Sequence, residues 1–95
     1  MKHTESYIDN TIETPENIPK NIKALLQELH KWDESGQEGA DVFYYDRLDD
    51  LWVNAKNAIA VGVMSKKDWK TIEQKYWIHA DIVMQKEDNN ENIRT

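Results

Sequence analysis

Between residues 18 and 32 the apolar side chains recur every three or four positions, as Ile18, Ile22, Leu25, Leu26, Leu29 and Trp32. That spacing is one stripe of an α-helix, in which a side chain returns to the same face after about 3.6 residues. Two more stripes follow. Tyr44, Tyr45, Leu48, Leu51, Trp52, Ala55, Ala58 and Ile59 form the second, and Trp69, Ile72, Tyr76, Ala80 and Val83 the third. No segment alternates apolar and polar residues for long enough to make a strand. Three such stripes joined by short loops predict an all-α fold, a small antiparallel three-helix bundle with a mobile N-terminal arm and a frayed C-terminus.

The boundaries come from breakers and caps. Asn17 is the expected cap of a first helix over about 18–35, with Pro19 in its first turn, where a missing N–H costs nothing. Ser35-Gly36 ends that helix, Gly36 supplying a left-handed cap. Asp41 is the expected cap of a second helix over about 42–61, which Gly62 stops. Ser65-Lys-Lys-Asp68 reads as a capping box for a third helix over about 66–87. Residues 18–87 are thus the three-helix domain. Residues 1–17 show no sustained period and form an acidic arm, either flexible or docked through Tyr7, Ile8 and Ile12. Residues 88–95 are expected to be a disordered tail.

Composition narrows the function. Ninety-five residues suit one domain; the apolar fraction is only 39%, and four tryptophans and four tyrosines must supply much of the buried area. With no cysteine, the chain has no disulfide, thiolate metal site or cysteine nucleophile. No apolar run reaches membrane-span length and the N-terminus lacks a signal-peptide core, so no membrane partner is expected and the protein reads as cytoplasmic. A net charge of −6 disfavours general binding to nucleic acid. Residues 36–64 set only Arg47 and Lys56 against five acids, which points to a protein partner with a basic surface.

The stretch FYYDRLDDLW, residues 43–52, carries the most suggestive acids. Asp46, Asp49 and Asp50 fall within one arc of about 100° on a helical wheel, opposite Tyr44, Leu48 and Leu51. They read either as a partner-binding face, with Asp41 and Glu38 nearby, or as a solvated face whose early acids suit the helix dipole. Phe43 lies about 60° from Asp46, toward the wet side. On the third helix, Trp77 flanks the inward stripe while Ile78 and Ile82 point nearly opposite to it. Either the arm, a second subunit in a homodimer through helix three, or a protein partner must cover them.

Catalytic constellations are absent from the pattern. Ser6, Ser35 and Ser65 sit in an arm and two caps, with no G-x-S-x-G elbow, P-loop or G-x-G-x-x-G. His3, His30 and His79 form no i, i+4 pair, and no calcium loop is present. No catalytic residue, cofactor or metal is therefore expected, and the chain does not read as an enzyme. One basic-aromatic segment, SKKDWKTIEQKYW, places Lys66, Lys67 and Lys70 beside Trp69. It supports a competing expectation, a nucleic-acid-binding transcriptional regulator that reads with helix three.

The segments IPKNIKALLQELHKWDESG and WVNAKNAI, through Ile18, Pro19, Trp32, Ser35, Gly36 and Asn57, resemble a family of small uncharacterised helical proteins of Gram-positive bacteria and their phages. The likeness covers roughly residues 18–60; the loop GQEGADVF is longer than the family pattern, and the arm and third helix lie outside it. It implies a mobile-element origin and no activity. The resulting expectation is a non-enzymatic, acidic protein–protein interaction module, a phage or prophage product that inhibits or modulates a host factor such as a defence nuclease. Its contact residues would be Asp41, Phe43, Asp46, Asp49, Asp50, Trp77, Ile78 and Ile82. A structural helical oligomer subunit is the third expectation.

Overall fold

Pro19, and not Asn17, opens the first helix. In the computed structural model, which describes the backbone of residues 5–94 and the side chains of residues 5–86, α1 spans Lys20–Glu34 and no side chain caps it. The proline ring sets φ at −59° while ψ stays extended at 152°, and the Lys23 N–H donates to the Pro19 carbonyl at 3.0 Å. Ser35 ends α1 in an extended conformation. The left-handed glycine of this loop is Gly39 rather than Gly36; at φ 83° it starts α2, Ala40–Ala60, two residues before the expected boundary. Asp41 accordingly lies in the first turn of α2 instead of capping it.

The second loop follows the sequence closely. Gly62 takes φ 81°, its N–H bonds Ile59 O at 3.1 Å and that of Val63 bonds Ala58 O at 2.9 Å. This pair of bonds is a Schellman ending, which a side chain at the left-handed position would strain. Ser65 then caps the third helix by accepting from the Asp68 N–H at 3.0 Å.

The third helix, α3, begins as Lys66–Glu73, passes through a π-helical turn at Gln74–Ile78 and resumes as His79–Arg94. The Gln74 carbonyl accepts from the N–H of His79, five residues on. On an uninterrupted α-helix Ala80 would stand about 80° round from Ile72. A π turn takes up one surplus residue, so the two come within about 20°, while Val83 shifts from about 20° to about 80° from Ile72; Ile72, Tyr76, Ala80 and Val83 are all buried. The backbone stays helical through Arg94 rather than giving way to a disordered tail at residue 88; Thr95 lies outside the described residues.

The core is built where the three stripes meet. Ile18, Ile22, Leu26 and Leu29 from α1 and its entry pack with Tyr44, Leu48, Leu51 and Ala55 of α2 and with the α3 stripe. Among the described residues there is no strand, and no helix is long and apolar enough to cross a membrane.

The arm is docked from Glu5 onward, not mobile; residues 1–4 lie outside the described residues. Short side-chain turns shape it: the Ser6 hydroxyl accepts from the Ile8 N–H at 3.1 Å, and Asp9 accepts from the Thr11 N–H at 3.0 Å. Tyr7 and Ile8 are buried, with the Tyr7 ring 5.2 Å from that of Tyr44. Two buried ionic groups hold it. Asp33 accepts from Ser6 Oγ and the Tyr7 N–H, both at 2.7 Å. Lys75 donates from Nζ to Ile12 O at 2.6 Å, and its own carbonyl accepts from the Asp9 N–H at 2.9 Å. The arm does not settle over Ile78 and Ile82, which stay 39% and 46% exposed.

An Asp33→Ala substitution strands a buried N–H and a hydroxyl, a loss of about 1–3 kcal/mol. Urea unfolding should show that loss, and amide exchange at Tyr7 should accelerate well beyond that of the helix cores.

Candidate functional site

The second helix has more apolar surface than its core stripe can bury. Tyr44, Leu48, Leu51, Ala55 and Ala58 fill the inner face completely. Outside it, Val42 is 59% exposed, Phe43 43%, Trp52 44% and Val53 50%. Asp41, Asp46, Asp49 and Asp50 are exposed on the same helix. The outer face is therefore mixed, with Val42 and Val53 set among the acids, and not the purely acidic face that the aspartates alone suggest.

Trp52 corrects the sequence reading most directly. Counted with the core stripe, it stands instead on the flank of α2. Seven residues separate it from Tyr45, so both lie on one line along the helix. Tyr45 reaches α3 by donating its hydroxyl to the Asp81 carboxylate. The wheel that singled out the aspartates also carries this signal, since it sets Trp52 about 80° from Tyr44 and Val53 about 180° from it.

Phe43 lies on the opposite flank, toward α1. Its ring stacks on Trp32 with centres 4.7 Å apart and planes 24° from parallel, so it is both packed and exposed. Along this seam Arg47 pairs with Asp50 at 3.0 Å and approaches Glu28 at 4.0 Å, and Asn21 donates to Asn54 at 2.8 Å. Asp50 is thus engaged within the chain. Asp41, Asp46 and Asp49 have no ion pair among the described residues.

The residues named on the third helix divide. Trp77 is half-buried against the core, whereas Ile78 and Ile82 are bare. They stand on α3 while the acids stand on α2, so the eight candidate residues make two patches rather than one.

Lys66, Lys67 and Lys70 line an open depression of about 640 Å³ with Ile12, Thr71 and Gln74. Asp68 on the same turn joins Glu13 and Glu16 of the arm around a second depression, placing three carboxylates next to the lysines. Like charge there opposes a phosphate backbone. His30 Nε2 lies 2.8 Å from the Tyr76 hydroxyl, with Thr14 Oγ1 3.4 Å away on its other side. Among the described residues no three His, Asp or Glu side chains converge on a common point that could hold a metal.

Burial raises the pKa of Tyr44, Tyr45 and Tyr76 above the ordinary phenol value; for Tyr45 the bond to Asp81 adds to it, and for Tyr76 the Thr14 contact partly opposes it. The folded state therefore holds these protons more tightly than the unfolded chain. The stability they contribute is complete below about pH 10 and disappears as pH rises through the folded values. The urea midpoint should stay level up to about pH 10 and then fall, with phenolate absorbance appearing together with unfolding. No protein-family model matches the chain, and neither a curated protein nor a solved structure is similar to it.

Proposed function

We propose that this chain is a non-enzymatic binding module that takes a protein with a basic surface on the outer face of α2. One observation carries the reading: an element whose inner face is already buried still exposes Val42, Phe43, Trp52 and Val53 beside unpaired carboxylates. Apolar side chains left in water on a small domain with a satisfied core mark a contact surface. Tryptophan and other aromatics supply most of the energy in such contacts, while Asp46 and Asp49 speed encounter with a cationic partner.

An acidic, aromatic face of this kind suits a protein that occupies a basic surface made for nucleic acid. A phage or prophage product that modulates a host factor, a nucleic-acid-guided nuclease among the targets, is the biological form of the reading that its resemblance over residues 18–60 supports. The bare Ile78–Ile82 pair, one turn apart on α3, favours a second contact there, a homodimer through helix three.

The test compares captures rather than counting them. Tagged wild type and a Phe43→Ala/Trp52→Ala variant are used on the same host lysate. A specific partner should be retained by the first and lost, by about tenfold or more, from the second. Asp46→Lys/Asp49→Lys should slow association at low salt and lose its effect at high salt. Equal capture by all three proteins would remove α2 as the binding face. Concentration-dependent sedimentation, abolished by Ile82→Lys, is the expected result for the homodimer.

A further inference from the structure

Two tryptophans at the edges of this face are already covered by a cation of the chain itself. Lys31 Nζ lies 5.1 Å from the centre of the Trp32 ring, and Lys56 Nζ lies 4.9 Å from that of Trp52. Both distances fall within the roughly 6 Å over which the negative face of an indole attracts an ammonium group. Both lysines are exposed and neither is ion-paired among the described residues, so each contact is weak and easily exchanged.

A carboxylate lies about one helical turn from each aromatic of α2. Asp46 follows Phe43 by three residues, and Phe43 is stacked on Trp32. Asp49 precedes Trp52 by three residues. Neighbours three apart share a helix face, so each aromatic unit has one unpaired acid beside it. An aromatic ring with a carboxylate one turn away suits a guanidinium, which can stack flat on a ring and donate from its planar edge to an acid; an ammonium is a point charge and does only the first well.

We infer that Trp32–Phe43 and Trp52 are two cation seats, filled by Lys31 and Lys56 in the free protein and by two arginine side chains of the partner in the complex. The inference rests on α2 being the binding face. Phe43 and Trp52 are nine residues apart, about 13.5 Å along the axis, and about 180° apart around it. The partner segment therefore crosses the outer face diagonally, over Asp46 and Asp49, along a path of about 21 Å around half the circumference of a helix about 10 Å wide.

A blocked peptide with arginine at each end and a Gly-Ser spacer of about five residues covers that path when extended. Titrated into the labelled protein, it should shift the indole N–H signals of Trp32 and Trp52 to saturation and leave those of Trp69 and Trp77 in place. Phe43→Ala and Trp52→Ala, both at exposed positions, should each weaken binding about two- to fivefold. The sharper result is the opposite one: Lys31→Gln/Lys56→Gln should tighten binding by a similar factor, because the seats are vacated. Lys66→Gln/Lys67→Gln makes the same change in net charge away from the rings and should do nothing. Equal tightening by the two lysine pairs, or shifts spread over all four indoles, would overturn the seats in favour of diffuse attraction, and so would the absence of saturable shifts. None of those results touches the capture comparison, which judges α2 as a binding face independently.

Discussion

A carboxylate and an ammonium buried between elements, Asp33 of α1 and Lys75 of α3, set the terms on which this small bundle holds together. Ionic groups taken out of water are tolerated only when their hydrogen-bonding capacity is met. Here the arm supplies partners to both, Ser6 and Tyr7 at Asp33 and the Ile12 carbonyl at Lys75. The consequence is that residues without any helical period are as much part of the fold as the stripes. With Tyr7 and Ile8 buried against α2 and α3, the arm contributes apolar area that a chain with so modest an apolar fraction needs.

The parts legible in the sequence were those in which local chemistry has a single answer. Gly62 follows a long stripe with no competing breaker, and Ser65 has a partner three residues on, so both ends were readable. The loop Gly36-Gln-Glu-Gly39 offered two glycines for one left-handed position. The choice fell to Gly39 because Ser35 ends α1 by extending and Ala40 is drawn into the core. The docked arm depended on contacts 26 and 63 residues away along the chain, which periodicity does not register. Even so, Ser6 and Asp9 carried the side-chain turn signature that distinguishes a shaped segment from a coil. The π turn left no such trace: Ile72, Tyr76 and Ala80 recur every four residues, as the buried Ala40, Tyr44 and Leu48 do in the unbroken α2.

On the candidate surface the helical wheel turns the aspartates and Phe43 outward, and Val42 and Val53 share that side. Trp52 reads as inward because a tryptophan in a small domain is expected to belong to its core. Size argues for burial, but angle decides it: Trp52 stands about 80° from Tyr44, on the flank of the core stripe, and Val53 about 180° from it. Phe43 takes an intermediate position, stacked on Trp32 and open to solvent on its other side. The face therefore combines what charge and hydrophobicity supply separately, long-range attraction and short-range area.

The π turn can also be read as a splice. Two α-helical halves, Lys66–Glu73 and His79–Arg94, keep a common phase toward the core although one residue too many stands between them. Deleting that residue would let a regular helix run through with Ile72 and Val83 still facing inward, so core packing alone does not demand it. Two carbonyls of this turn also accept from outside the helix: that of Lys75 from the Asp9 N–H, and that of Tyr76 from the Tyr44 hydroxyl at 2.6 Å. A helix normally spends its carbonyls on itself. At this turn two of them are also shared outward, and through them the arm and the second helix are moored to the same stretch of backbone.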